Sequence, residues 1–174
     1  MPPTRPKFKA ALLDPKLHER AAFSCGELTL DEYFKRRAGQ DLKRRLAVTY
    51  VLAPINEPSR VAGYFTLSAY AVLARELPED LAGRLPRHDR FPTTLIERLA
   101  RDEAYRGDRL GELLLLEALA RALDTSDRVA SFAVVVDALN DQAAAFYRRY
   151  GFLPFADDAH RLYLPMATVR NLHS

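Results

Sequence analysis

Two segments constrain this chain more than all the rest of it. The first is Tyr105-Arg-Gly-Asp-Arg-Leu-Gly111, which runs directly into Glu112-Leu-Leu-Leu-Leu-Glu-Ala-Leu119. The second is Val136-Asp-Ala-Leu-Asn-Asp-Gln-Ala-Ala-Ala-Phe-Tyr-Arg-Arg-Tyr-Gly-Phe152. The first reads as a glycine-bearing turn opening onto an apolar helix. The unpaired N–H groups of that helix's first turn, and the positive end of its dipole, point out of the turn. Such a terminus suits a pyrophosphate, although glycine turns before helices are also ordinary connections. The second segment reads strand, turn, helix, glycine, strand, with Asn140 as helix cap and Tyr147 one to two turns further on.

Composition narrows the class. The 174 residues suffice for one domain with a sizeable core, and 48% hydrophobic with 28% charged content fits a globular chain. No apolar run approaches the roughly 20 residues that span a bilayer, and the N-terminus lacks a signal-peptide core. With Cys25 alone there is no internal disulfide, so a reducing cytoplasm is expected. That cysteine and the scattered His18, His88, His160 and His173 make no metal-ligand spacing, so no metal is expected. Net charge is only +3, but Lys35, Arg36, Arg37, Lys43, Arg44 and Arg45 crowd into a stretch whose single acid is Asp41. This is either a polyanion footprint or a solvated helix face.

Along the chain, residues 1–9 are Pro- and Lys-rich and expected to be flexible. Thr29-Leu-Asp-Glu32 has the form of a capping box. After it Leu30, Tyr33, Phe34, Ala38, Leu42 and Leu46 recur at helical spacing, which predicts one continuous helix. On that helix Arg36 with Lys43, and Arg37 with Arg44, fall on common stripes away from the apolar face. Strands are predicted at Ala47–Ala53, Val61–Ser68, Thr94–Ala100, Val129–Val136 and Arg161–Met166, and helices at Leu110–Leu123 and Asp141–Tyr150. A loop-rich stretch from Glu76 to Thr93 holds a short helix around Glu79–Leu85. The order predicts a single α/β (α+β) domain, residues 1–174, around a mixed sheet.

The two opening segments resemble the acyl-CoA-binding motifs of the GCN5-related N-acetyltransferases (GNAT). The loop pattern there is Gln/Arg-x-x-Gly-x-Gly/Ala, which Arg106, Leu110 and Gly111 fit, while Arg109 stands where the first glycine is usual. The resemblance implies the GNAT fold, with a mostly antiparallel mixed sheet flanked by helices, and acetyl-CoA as co-substrate. It places the pyrophosphate on Arg106, Gly107, Asp108, Arg109, Leu110, Gly111 and Glu112. The pantetheine arm lies beside Leu99, Ala100, Arg101 and Asp102. Asn140 is either a helix cap or a cofactor contact. Tyr147 is either core or the general acid that protonates the departing thiolate; a phenol with pKa about 10 holds its proton at pH 7.

More narrowly, Phe23-Ser-Cys-Gly26, Leu30-Asp-Glu-Tyr33, Ala38-Gly-Gln-Asp41, Gly63-Tyr-Phe-Thr-Leu-Ser68 and Arg98-Leu-Ala-Arg-Asp102 look like the GNAT toxins of bacterial toxin–antitoxin pairs. Glu97 departs from that group, where glycine is frequent. The resemblance implies acetylation of the α-amino group of aminoacyl-tRNA, a ribbon-helix-helix antitoxin and a homodimer, with no membrane. Basic residues, here Arg36, Arg37, Lys43, Arg44 and Arg45, would take the tRNA. No carboxylate or histidine stands out as a general base, which suits an α-amine with pKa about 7.7–8.0 better than a lysine at about 10.4. The alternatives are a housekeeping GNAT acetylating a small-molecule amine or a protein N-terminus, and a non-catalytic acyl-CoA-sensing module.

Overall fold

The computed structural model describes residues 8–87 and 89–173. Among them, eight strands hydrogen-bond in the order β1-β2-β3-β4-β6-β8-β7, with β5 paired to β3, and helices flank this mixed sheet. The chain divides into two compact units. One runs to Thr66 and resumes at Arg98–Glu117; the other comprises Leu67–Glu97 and Ala118 onward.

In the first unit β1 (Phe8–Leu12) pairs antiparallel with β2 (Val48–Pro54), Ala10 opposite Leu52. The expected flexible end thus covers residues 1–7, outside the described residues, together with Phe8 and Lys9, which are already in strand. The start of β3 (Gly63–Leu73) pairs with β5 (Leu99–Arg101), Tyr64 opposite Ala100. The beginning of α4 (Leu110–Ser126) packs so closely here that a Cβ on Gly63 would lie 2.8 Å from a Leu114 methyl and 2.9 Å from the Ala100 carbonyl. Only glycine fits there. Phe34 and Tyr64 stack at 4.4 Å with Phe23 edge-on to both, and the Tyr64 hydroxyl donates to Leu30 O at 2.7 Å. Fully burying such rings contributes about 1.5–3 kcal/mol each, and the hydrogen bond removes the penalty of burying a phenol.

The expected single N-terminal helix is two. α1 (Leu28–Arg36) and α2 (Ala38–Arg44) are divided at Arg37, whose φ of −116° is far from the usual helical value near about −63° while its ψ of −31° stays helical. The capping box does not start α1. Its N-cap is Glu27, without a side-chain cap, and Thr29 lies inside the first turn. Leu46, placed on the apolar stripe by a continuous helix, is 63% exposed because α2 ends at Arg44 and the left-handed Arg45 turns the chain off the helix before it.

In the second unit the rest of β3 pairs antiparallel with β4 (Arg90–Ile96), and β4 parallel with β6 (Ala133–Asp137). β6 and β7 (Leu153–Phe155) are antiparallel to β8 (Asp158–Pro165). β6 is a continuous apolar run because Val134, Val135 and Val136 are wholly buried. α3 (Glu79–Ala82), α5 (Asp141–Arg149) and α6 (Met166–Leu172) complete the unit. The predicted strand Thr94–Ala100 is in fact β4 and β5, divided at Glu97-Arg98. Val129, expected to open β6, is 71% exposed, so that strand starts at Ala133.

Candidate active site

Three features that the sequence singled out are built on different elements. The glycine loop lies in the first unit, between β5 and α4. Its entry is rigid. Asp102 is buried, its own N–H donates to Ala62 O at 2.8 Å, and its two carboxylate oxygens accept from Ser24 N at 3.0 Å and Ala104 N at 2.9 Å. Asp102 is therefore a structural anchor, with both oxygens already occupied. Tyr105 meets Phe8 edge-on at 5.6 Å and the Arg60 guanidinium at 5.3 Å.

Beyond Tyr105 the loop opens to solvent. Arg106, Gly107, Asp108 and Arg109 are exposed, and a Cβ on Gly107 would meet nothing within 4 Å. Gly107 has φ +85° and Arg109 φ +55°. The arginine that breaks the sequence pattern therefore keeps the left-handed backbone of a glycine, at a cost of about 1–2 kcal/mol. Leu113 N donates to Arg109 O at 3.2 Å, closing the first turn of α4, so the amides of Leu110, Gly111 and Glu112 have no intrahelical acceptor. Arg106 pairs with Glu103 at 3.6 Å, but both are well exposed and the contact is worth little. Leu99, Ala100 and Arg101 form β5, which is bonded to β3 along one edge and to no other described strand.

Tyr147 lies in the second unit, on α5. Asn140 caps this helix: its backbone is extended, and its side-chain oxygen accepts from Ala143 N at 2.9 Å. Of its two open roles, the cap is the one the geometry fills. Ala144 and Tyr147 form the buried face of the helix. The Tyr147 ring is edge-on to Phe146 at 5.3 Å and to Phe152 at 5.5 Å. Burial, and secondarily the charge of Asp137, push its phenol well above the ordinary tyrosine value. Asp137 in turn is held by Arg161, Nε to Oδ1 at 2.8 Å, and Arg161 also donates to the Tyr70 hydroxyl. No sequence signal found this trio. Asp137 and Arg161 are cross-strand partners, and Tyr70 comes from a third strand.

Cys25 is half-buried, and desolvation followed by its contact with Asp31 pushes the thiol to about 12. So little thiolate forms at neutral pH that a covalent acyl-enzyme through Cys25 is disfavoured. Lys35, Arg36, Arg37, Lys43, Arg44 and Arg45 are all exposed, at the C-terminal ends of α1 and α2. Among the described residues no cluster of His, Cys, Asp or Glu is placed to hold a metal ion, and no helix is long and apolar enough to cross a membrane. His88 lies outside the described residues.

Residues 16–152 match the Acetyltransferase (GNAT) family. A probable toxin TacT of Sinorhizobium fredii is 32% identical, over 92% of each chain. A tRNA-acetylating toxin of Mycobacterium tuberculosis is also 32% identical, over 87% of this chain and 88% of its own length. Among solved structures, AtaT complexed with acetyl-methionyl-tRNAfMet superposes with a TM-score of 0.87 at 23% identity, covering 97% of this chain and all of that one. A mutant of AtaT has also been solved with the C-terminus of the antitoxin AtaR and acetyl-CoA, at 21% identity and a TM-score of 0.81, over 96% of this chain and 98% of that one.

Proposed function

The chain belongs to the acetyltransferase (GNAT) family, and from that premise we propose that it transfers the acetyl group of acetyl-CoA to the α-amino group of aminoacyl-tRNA, as a toxin that blocks translation. The observation that carries this is the 32% identity, over about nine-tenths of the chain, to relatives named as a probable toxin and a tRNA-acetylating toxin. Residues 1–174 act as one acetyltransferase domain, in the cytoplasm where charged tRNA resides. By the same likeness an antitoxin of ribbon-helix-helix type and a homodimeric state are its expected partners.

The residues fit the co-substrate. The amides of residues 106–112, open to solvent and ahead of α4, take the pyrophosphate. The edge of β5 not bonded to β3 offers backbone N–H and C=O groups, from Leu99 to Arg101, to the amides of the pantetheine arm. Acetyl-CoA supplies an activated thioester, and the acceptor amine attacks its carbonyl directly. As the C–S bond breaks, the Tyr147 hydroxyl gives its proton to the thiolate; the amine's surplus proton passes to solvent, and the phenolate takes one back from solvent to close the cycle. Burial, and secondarily the charge of Asp137, keep the Tyr147 hydroxyl protonated at neutral pH, so it has a proton to give. No strong base is needed for an amine with pKa about 7.7–8.0.

The exposed cations of α1 and α2 take the tRNA backbone, giving sequence-independent affinity that weakens with salt. The test is to incubate total charged tRNA with labelled acetyl-CoA. Label should enter aminoacyl-tRNA and be released as an N-acetyl amino acid on ester hydrolysis. Replacing Arg36, Lys43 and Arg44 with Glu should raise the KM for aminoacyl-tRNA and flatten its salt dependence. If label enters only polyamines or protein N-termini, the housekeeping acetyltransferase takes the place of the toxin. If no thiol is released from acetyl-CoA with any acceptor, the protein is a sensor.

A further inference from the structure

The cationic stretch is not one helix face but two short clusters either side of a break. Lys35, Arg36 and Arg37 end α1, and Lys43, Arg44 and Arg45 end α2. On a continuous helix the positions seven apart would share a stripe. The division at Arg37 interrupts the helix between them, so the way α2 continues from α1 sets the spacing of the two clusters. Among the described residues none of the six is held in an ion pair, which leaves them available to an external anion.

α1 and α2 share a core through Phe34, Ala38 and Leu42, and one side-chain hydrogen bond spans the break between them. Tyr33 and Asp41 stand four residues before and four after Arg37, and the backbone ties both to it: Arg37 N donates to Tyr33 O at 2.8 Å and Asp41 N to Arg37 O at 2.9 Å. The Tyr33 hydroxyl donates to Asp41 Oδ2 at 2.8 Å, closing a strap across the break. The strap is braced by Arg98, the residue before β5. The Arg98 guanidinium lies 3.5 Å from the centre of the Tyr33 ring, which is 4% exposed. Arg98 itself is pinned at both backbone groups, its N–H donating to Thr66 Oγ1 at 3.2 Å and its carbonyl accepting from Thr66 N at 3.0 Å. A cation pair of fixed spacing can meet two phosphates together, whereas a loose hinge must order itself first and loses part of the gain.

We propose that Tyr33 and Asp41, backed by Arg98, are positioning residues that hold the two cationic clusters at the spacing of phosphates along a tRNA acceptor stem. This rests on aminoacyl-tRNA being the acceptor. Neither residue touches the reacting atoms.

The test compares the parent with Tyr33→Phe, Asp41→Ala and Asp41→Asn by aminoacyl-tRNA binding over a salt series, acetyl-transfer kinetics and thermal unfolding. Tyr33→Phe keeps the buried ring and its stacking on Arg98 and loses only the strap. Asp41→Ala removes the strap from the other side without touching the core, while Asp41→Asn keeps an acceptor oxygen. Tyr33→Phe and Asp41→Ala should raise the KM for aminoacyl-tRNA about 3–10-fold and lower the log–log salt slope by about one phosphate. The KM for acetyl-CoA and kcat should stay as in the parent, and Asp41→Asn should restore tRNA binding. Charge alone makes the opposite forecast, since removing Asp41's negative charge from among cations would tighten binding in both Asp41 variants. Tighter binding by both, or three variants indistinguishable from the parent, overturns the proposal. So does a loss of binding to an acidic protein partner with tRNA binding intact. A parent that neither binds nor acetylates charged tRNA removes the acceptor assignment itself, and the strap's role with it.

Discussion

The Arg106–Arg109 loop and the Tyr147 helix solve opposite problems. The loop is exposed, holds two residues at positive φ and leaves amides unpaired. The helix is capped by Asn140, buries Tyr147 among aromatic rings and keeps its phenol neutral. A region that must receive a charged group is better left incomplete, with strain and open donors that a ligand satisfies. A region that must hold a proton until it is needed is better finished and dry. In the proposed function the first binds and the second reacts.

The sharpest way to break this comparison is Tyr147→Phe, which preserves shape and removes the proton. It should lower kcat about 10²–10⁴-fold, the usual worth of general acid catalysis, with acetyl-CoA affinity unchanged by calorimetry. Near-parental turnover would move the chemistry elsewhere, and a dead but folded Cys25→Ser would return the nucleophile question to Cys25. Next in size is Gly111→Glu, which puts bulk and negative charge among the free amides of α4. Helix N-termini favour anions by up to about 2 kcal/mol, so the Kd for acetyl-CoA should rise about tenfold or more. A folded variant that binds acetyl-CoA as tightly as the parent would contradict the loop's role.

Arg109→Gly sharpens the comparison. Relief of the left-handed strain should stabilise the fold by up to about 1 kcal/mol, read as a small rise in Tm. If acetyl-CoA affinity falls tenfold at the same time, the guanidinium is a phosphate ligand and not only a tolerated departure. The smallest effect is on stability against pH. Cys25, Tyr64 and Tyr147 have folded pKa values raised above their unfolded values, so the folded chain binds more protons than the unfolded chain at high pH. Stability is then fully present below about pH 8.5–10, where these groups ionise in the unfolded chain, and declines as pH rises further. Denaturant midpoints measured from pH 8 to pH 11 should fall steadily. A flat profile would mean these groups titrate freely.

The local signals in the sequence located the elements that carry the candidate site. The glycine turn into an apolar run gave the loop and α4; Asn140, the apolar spacing and Gly151 gave α5. What the sequence did not reveal depends on contacts distant along the chain. The break at Arg37 is invisible to a periodicity that continues through it, because Tyr33, Ala38 and Leu42 still fit a helical pattern. The Tyr33 ring meets Arg98, and the Asp137–Arg161–Tyr70 trio joins three strands. β1 and β7 sit at the two ends of the sheet order and are short, with mixed burial, so their alternation is weak. Arg109 looked like a defect in the loop pattern; its φ of +55° shows that the backbone there is left-handed, a conformation that favours glycine.

The central claim, that a buried phenol which stays protonated delivers the proton while the acceptor is an α-amine, is tested most directly by single-turnover acetylation of aminoacyl-tRNA across pH 6 to 10. For the parent, the rate should rise as the amine deprotonates near pH 7.7–8.0 and then hold level to pH 10, because burial keeps Tyr147 protonated throughout. Tyr147→Phe should show the same rise at a rate lower by about two orders of magnitude or more. A parental rate that falls between pH 8 and 9, or a Tyr147→Phe rate equal to the parent's, would contradict the account.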